Sequence, residues 1–319
     1  MSVKTTPSRA GILIVGTGAL ATLFAARLAR SGVTVTMLGT WLEGLRALRR
    51  EGARLVDAHG REERYPVIAA GNPKDLAPVQ FALVLVKSWQ TKRAARDLAG
   101  CLHPDGLALT LQNGLGNREV LATRLGQNRV ALGSTTTGAT LLGPGLAKPG
   151  GEGKISVERH GRLQALAQML DSAGFQVEVV KDASAVIWGK LVINAAINPL
   201  TALLRIPNGE LLERPSARVL MRSIAAETAA VATAEGTRLA RRSAVRAVEN
   251  VALRTAANHS SMFQDVQRGA PTEIDAICGA VARAGSRHRL PTPLNQICLQ
   301  LVRALTETPE AQQTAGSRS

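Results

Sequence analysis

Lys190 is the sole lysine between residues 182 and 319, a stretch that holds 15 arginines, and it sits in the apolar run Trp188-Gly189-Lys190-Leu191-Val192-Ile193-Asn194-Ala195-Ala196-Ile197-Asn198-Pro199. Lys190, Asn194 and Asn198 are four residues apart, so on a helix they share one face. Three polar groups on an otherwise apolar face need partners: one another, a second helix or a ligand. The plainer reading is a helix end at Asn198-Pro199 and a lysine that snorkels to water. The chain has 31 Arg and 8 Lys, so charge alone would favour Arg at 190. Arg holds its proton at neutral pH, whereas a buried Lys has its pKa lowered into the working range. Lys190 is thereby a candidate general acid.

A second polar cluster runs from Asn258 through His259, Ser260, Ser261, Gln264 and Asp265, followed by Pro271-Thr272-Glu273. Pro271-Thr272-Glu273 reads as a helix start with Glu273 near the positive dipole end. A hydroxyl (Ser261) and a carboxylate (Glu273) turned toward Lys190 would grip a small hydroxylated acid.

The third candidate is near the beginning. Ile12-Leu13-Ile14-Val15 reads as a strand buried on both faces, and Gly16-Thr17-Gly18-Ala19-Leu20-Ala21 follows at once. A helix to Arg30 and a second strand over Val33–Leu38 complete a strand–turn–helix–strand unit. Gly16 allows the tight turn, Gly18 leaves the backbone open to a pyrophosphate, and the helix start offers unpaired N–H groups to that phosphate. A carboxylate after the second strand would select NAD. Here Gly39-Thr40-Trp41 stands instead, so NADP is favoured over NAD, with Thr40 and either Arg46 or Arg49 in reach of a 2′-phosphate.

The elements around these sites follow. Further strands are expected over Phe81–Val86, Leu107–Leu111, Val130–Thr140, Lys154–Val157 and Phe175–Val180. Lys87 and Asn113 lie just past the carboxyl ends of two of them, where a doubly wound sheet binds its ligand. Taken singly, Lys87 is as well explained as a solvated strand-end cation, and Asn113-Gly114 as a plain turn. Everything after residue 181 shows helical periodicity, with packing helices expected over 183–204, 215–236, 244–257, 276–286 and 293–306. The expected fold is therefore α/β: a Rossmann-type dinucleotide-binding domain over 1–181 and an all-helical domain over 182–319.

Composition narrows the classes. The net charge of +15 suggests nucleic acid first. The basic residues are spread through both halves, and one Tyr and four Phe offer no stacking stripe, so no nucleic-acid partner is expected. The uncharged run from Ala10 to Ala26, preceded by Lys4 and Arg9, mimics a signal peptide. Its central glycines and its stop at Ser31-Gly32 argue against a membrane span and against export. Cys101, Cys278 and Cys298 read as buried thiols of a reducing compartment, and neither they nor the five histidines have metal-ligand spacing. The tail from Thr306 is polar and reads as loose.

Taken together the motifs resemble the ketopantoate reductase (2-dehydropantoate 2-reductase) family: GTGALA at 16–21, KSWQ at 87–90, QNGLGN at 112–117, KLVINAAINPLTAL at 190–203, and SSMFQD with TEID within 260–275. The resemblance spans residues 10–305. It implies NADPH-dependent reduction of ketopantoate to pantoate in pantothenate and coenzyme A biosynthesis, in the cytoplasm, with a helical domain like that of 6-phosphogluconate dehydrogenase relatives and an active site in the interdomain cleft. It implies cofactor contacts at Gly16, Gly18, Ala19, Leu20, Lys87, Asn113 and Glu273, to which the position of Thr17 within the glycine turn and of Thr40 after the second strand adds those two residues. It gives Lys190 the role of general acid, and it places substrate contacts at Asn113, Lys190, Asn194, Asn198, Ser261 and Glu273. No metal is implied, and a homodimer is compatible with it. Two positions depart from the family pattern: Gly39-Thr40 stands where an Arg is common, and Cys278 where an Asn is. A sister reductase of another small 2-oxo acid and a non-catalytic NADP-binding module are the alternatives.

Overall fold

The computed structural model describes residues 11–307. Lys4, Arg9 and Ala10, at the head of the apolar run, and the polar tail after residue 307 lie outside the described residues. The run that mimics a signal peptide divides in two. Its first part is a strand, β1 (Gly11–Val15), with four consecutive buried side chains. The glycines at 16 and 18 interrupt it, and a separate helix, α1 (Ala19–Arg30), follows. Ser31 stops α1 by donating its hydroxyl to the Leu28 carbonyl at 2.8 Å.

The first unit comprises the chain to Gln112 together with Asn117–Ala183. After α1 come β2 (Thr34–Leu38), α2 (Leu42–Glu51), β3 (Ala53–Val56), β4 (Glu62–Tyr65), β5 (Ile68–Ala70) and β6 (Val79–Val84). Then follow α3 (Thr91–Cys101), β7 (Leu102–Thr110), α4 (Asn117–Leu125), β8 (Val130–Thr135), β9 (Ala139–Gly143) and β10 (Leu146–Pro149). β11 (Lys154–Glu158), α5 (Gln164–Ser172) and β12 (Gln176–Val180) close the unit.

Six strands pair in parallel in the order β5-β2-β1-β6-β7-β8, and the chain order reverses between β1 and β6. That reversal is the switch point at which doubly wound sheets bind ligands. β11 joins antiparallel to β8 and carries β12 parallel on its outer side. A second, four-stranded sheet of order β4-β3-β10-β9 packs against α1.

The second unit comprises Ser184 onward together with the excursion Asn113–Gly116. Its helices are α6 (Ala183–Leu204), α7 (Glu210–Glu213), α8 (Pro215–Ala234), α9 (Arg241–Arg254), α10 (Ser261–Gln267), α11 (Cys278–Arg287) and α12 (Pro293–Thr306). Leu191, Ala195 and Leu200 of α6 are buried in one core with Met221 of α8, Val281 of α11 and Val302 of α12. α6 is long and apolar enough to cross a membrane, yet 67% of its most apolar window is buried within the protein. An unbroken first domain over 1–181 is therefore corrected at 113–116. Those residues join the helical unit because Leu115 donates its N–H to the Ala276 carbonyl at 3.0 Å.

Two local expectations are corrected as well. Asn198-Pro199 does not end a helix, since α6 runs five residues further, through Pro199 to Leu204. Proline lacks the N–H that would bond the carbonyl four residues back. The Cys278 thiol lies 4.0 Å from that carbonyl, on Ala195, and is its donor. Nor is Pro271-Thr272-Glu273 a helix start. The Glu273 backbone carbonyl accepts from the Ala276 and Ile277 N–H groups in a turn, and α11 begins only at Cys278. The Ala276 carbonyl, turned to Leu115, is lost to the helix ladder, which accounts for the late start.

Candidate active site

The glycine turn after β1 is built by the backbone alone. Gly16 has φ +135°, and a Cβ there would stand 3.2 Å from the Leu85 backbone. Its N–H donates to the Leu38 carbonyl at 2.8 Å, which ties the turn to the end of β2. The first ladder bond of α1 is Thr22 N–H to Gly18 carbonyl, 2.9 Å, so the N–H groups of Ala19, Leu20 and Ala21 precede the ladder. No side chain caps this end and no acidic residue lies in its first turn. A Cβ on Gly18 would meet nothing within 4 Å. Open space beside an uncapped, positively polarised helix start fits a dinucleotide pyrophosphate. Thr17 is buried at this turn, and Thr40, past β2, is exposed and accepts a hydrogen bond from Arg93.

Lys87 follows Val86 in an extended conformation, in a loop held by a buried amide. Gln112 donates its Nε2 to the Val86 carbonyl at 2.9 Å and to the Thr91 hydroxyl at 2.8 Å. The Thr91 hydroxyl lies 2.7 Å from the Ser88 carbonyl. Sequence reasoning named Lys87 and passed over Gln112 and Thr91, which set its position. Gln112 stood in the QNGLGN motif, but an amide reaching 26 positions back has no local signature.

In the helical unit, Asn113, Lys190 and Glu273 form one cluster. Asn113 donates its Nδ2 to Glu273 Oε2 at 3.0 Å, across 160 positions of sequence. Gly114 fixes this approach: its φ is +82°, and a Cβ would fall 2.3 Å from the Ala276 carbonyl oxygen, so only glycine fits. Glu273 is 5% exposed. Burial pushes the Lys190 ammonium down from 10.5 to about 8, and the Glu273 carboxylate opposes that shift. Lys190 retains partial solvent access by surface area while protein surrounds it. Desolvation thus governs its proton affinity, and the neighbouring carboxylate keeps the charged form accessible near neutral pH.

Asn194 and Asn198 continue the Lys190 face of α6, half-buried and buried respectively. The serine pair divides. Ser260 is buried, caps α10 by accepting from the Phe263 N–H at 3.1 Å, and accepts from the Thr201 hydroxyl of α6 at 2.7 Å. Ser261, the residue named from sequence, is exposed at the first position of α10. The three cysteines are buried and free, and burial raises the pKa of each thiol. Among the described residues no group of three His, Cys, Asp or Glu side chains could hold a metal ion.

Two family models match the chain, one over each unit. The model described as ketopantoate reductase PanE/ApbA matches residues 12–162, and its C-terminal counterpart matches residues 182–306. A 2-dehydropantoate 2-reductase of Halobacterium salinarum is 35% identical over 298 residues, covering 92% of this chain and 97% of the relative. One from Archaeoglobus fulgidus is 36% identical over 301 residues, with coverage of 92% and 97%. Among solved structures, a PanE/ApbA family ketopantoate reductase from Ralstonia eutropha superposes with TM-score 0.87 at 30% identity, covering 95% of this chain and 99% of that one. A D-mandelate dehydrogenase bound to NADH and anilino(oxo)acetate superposes with TM-score 0.86 at 26% identity, covering 93% and 98%.

Proposed function

The chain belongs to the ketopantoate reductase family and is an oxidoreductase, and on that premise we propose that it reduces 2-dehydropantoate to (R)-pantoate with NADPH, as a soluble cytoplasmic enzyme of pantothenate synthesis. The observation that carries the reading is Lys190: an ammonium brought to about 8 by burial, beside the buried Glu273 carboxylate. Such a group is charged at neutral pH and still able to part with its proton.

A dinucleotide held there would supply a hydride to the C2 carbonyl carbon of the acid. Lys190 donates a hydrogen bond to the C2 oxygen and then transfers a proton to it, so the ketone becomes an alcohol and Lys190 is left neutral. General acids of this kind contribute roughly 10²–10⁴-fold. Asn194, Asn198 and Ser261 orient the acid, and Asn113 holds the Glu273 carboxylate for a distal hydroxyl. A substrate without that hydroxyl leaves a buried carboxylate underused, which gives discrimination. The Gly16–Leu20 turn would hold the pyrophosphate, and Lys87, Asn113 and Glu273 would contact the cofactor.

The likeness to D-mandelate dehydrogenase favours a second reading, a sister reductase of another 2-oxo acid. Oxidation of NADPH and of NADH, followed with ketopantoate and with a panel of 2-oxo acids, separates them. The first reading expects kcat/KM highest for ketopantoate with NADPH. A higher value for an acid lacking the terminal hydroxyl overturns it in favour of the sister reductase, and cofactor binding without any turnover leaves only a binding module.

A further inference from the structure

The end of β2 is shaped by neighbours within the first unit. Gly39 is buried, and its N–H donates to the Ala70 carbonyl at 3.2 Å. A Cβ on Gly39 would stand 2.6 Å from Thr17 Cγ2 and 2.9 Å from Thr17 Oγ1. Thr17 is itself buried, so it has little room to yield. Residue 39 therefore cannot carry the carboxylate that would accept from a ribose 2′-hydroxyl. Thr17 enforces this from inside the glycine turn.

The next residue, Thr40, is exposed, and Arg93 Nη1 donates to its hydroxyl at 2.5 Å across 53 positions of sequence. Arg93 is the third residue of α3. Its side chain is 27% exposed, its Nε is buried without a hydrogen bond, and Asp97 Oδ2 lies 3.8 Å from that Nε. The guanidinium is thus balanced at its base by Asp97, while its Nη1 reaches Thr40. Arg46 is exposed, and Arg49 donates its Nε to the Ala69 carbonyl of β5 at 2.8 Å.

We propose that Arg93, seated on Thr40, binds the 2′-phosphate of the dinucleotide and is the residue that selects NADPH over NADH. The inference deepens the reductase reading and rests on it for the identity of the ligand. A guanidinium meets a phosphate with two parallel N–H donors, and the Thr40 hydroxyl adds a third contact on the same side. A ribose 2′-hydroxyl offers no charge to this pair and finds no carboxylate at residue 39.

The test is calorimetric binding of adenosine 2′,5′-bisphosphate and of 5′-AMP, neither of which needs a substrate. The natural protein is expected to bind the bisphosphate ~30-fold more tightly or better, and Arg93→Ala to lose most of that margin while 5′-AMP affinity stays within ~2-fold. Arg93→Lys should recover part of the margin, through charge without the fork. Thr40→Glu, on an exposed residue, should turn the preference toward 5′-AMP by repulsion. Equal weakening of both ligands in Arg93→Ala, or an undiminished preference in either Arg93→Ala or Thr40→Glu, overturns the proposal. A protein that keeps its 2′-phosphate preference but reduces no 2-oxo acid defeats the reductase reading alone. One that reduces ketopantoate with equal affinity for both adenosine ligands defeats the Arg93 assignment alone.

Discussion

The two candidate sites are built from different materials. The turn at Gly16–Gly18 offers N–H groups and empty space, and no side chain has to be placed for it to bind a phosphate. The cluster at Asn113, Lys190 and Glu273 consists only of side chains, drawn from a loop, a helix and a turn that lie far apart in sequence. A backbone site tolerates change in everything except the atoms it leaves out. A side-chain site depends on each charge and on what desolvates it. Substitutions should therefore act through ligand binding at the first site and through turnover and pH at the second.

The largest expected effect is at Lys190. On the proposed role, Lys190→Ala lowers kcat by ~10³-fold while the affinity for NADPH changes by no more than ~3-fold. Lys190→Arg should restore little, since the charge returns without a transferable proton. Equal losses in kcat and in cofactor affinity would reduce Lys190 to a structural part of the site. Stability should move the other way. The folded protein holds this lysine below its ordinary 10.5, at about 8, so the charged form is penalised by folding. The penalty is fully present below pH 8 and is relieved between pH 8 and 10.5. Lys190→Met should accordingly gain ~1–2 kcal/mol at pH 7, an estimate reduced for partial solvent access, and the gain should shrink as the pH approaches 10. Thermal unfolding at pH 7 and pH 10 reads this directly.

The contrasting prediction at the backbone site is Gly18→Val. A Cβ there meets no protein atom within 4 Å, so folding should be preserved and Tm should move by no more than ~2 °C. The added methyl groups occupy the space in front of uncapped N–H groups, and the dissociation constant for NADPH should rise ~10²-fold by the loss of close phosphate contacts. A fall in Tm without a change in affinity would show that the open space serves packing rather than a ligand.

Between these in size is a pH effect. The reductive kcat/KM should fall as the pH rises through about 8, because Lys190 must carry its proton. Oxidation of the product alcohol should rise over the same range. Glu273 supports the charged form of Lys190, so Glu273→Gln should move both limbs to lower pH while keeping an acceptor for Asn113 Nδ2. An unmoved profile would separate the carboxylate from the lysine.

This division between backbone and side chain also decides what the sequence disclosed. The glycine turn, its flanking strands and the parallel sheet were legible because their signals are contiguous: β-branched runs, glycines at fixed spacing, a helix stop at Ser31-Gly32. The helices were legible from periodicity, Lys190 from being a lone lysine, and Glu273 as its partner from a second polar cluster in an otherwise apolar helical half. What escaped has no local trace. The second sheet is made of strands of four or five residues, one of which, Glu62–Tyr65, is charged and mostly exposed, with no alternation to read. Asn113–Gly116 reads as an Asn-Gly turn of the first domain, and the Leu115–Ala276 and Asn113–Glu273 bonds, distant in sequence, assign it to the second. Arg93 lies on another element from Thr40, so the cation opposite the end of β2 is invisible in the residues around β2.

The smallest effect concerns Pro199, which α6 carries in its interior. Without a proline N–H, the Ala195 carbonyl relies on the Cys278 thiol, a weak donor at 4.0 Å. Both residues are fully buried. Cys278→Ala removes the donor and leaves a small void, and the cost should be ~1–2 kcal/mol in denaturant unfolding. Cys278→Ser is near in size and a stronger donor but shorter in reach, so it should recover part of that loss without exceeding the natural protein. Because Lys190 lies on the same helix, one turn and more before this carbonyl, a disturbed α6 would also reach the reaction. A lower kcat in Cys278→Ala with an unchanged pH profile would place the thiol as a support for the helix geometry. A shifted alkaline limb would mean that the packing around Cys278 helps to set the desolvation of Lys190, and the contrast between a backbone site and a side-chain site would then extend into the core beneath it.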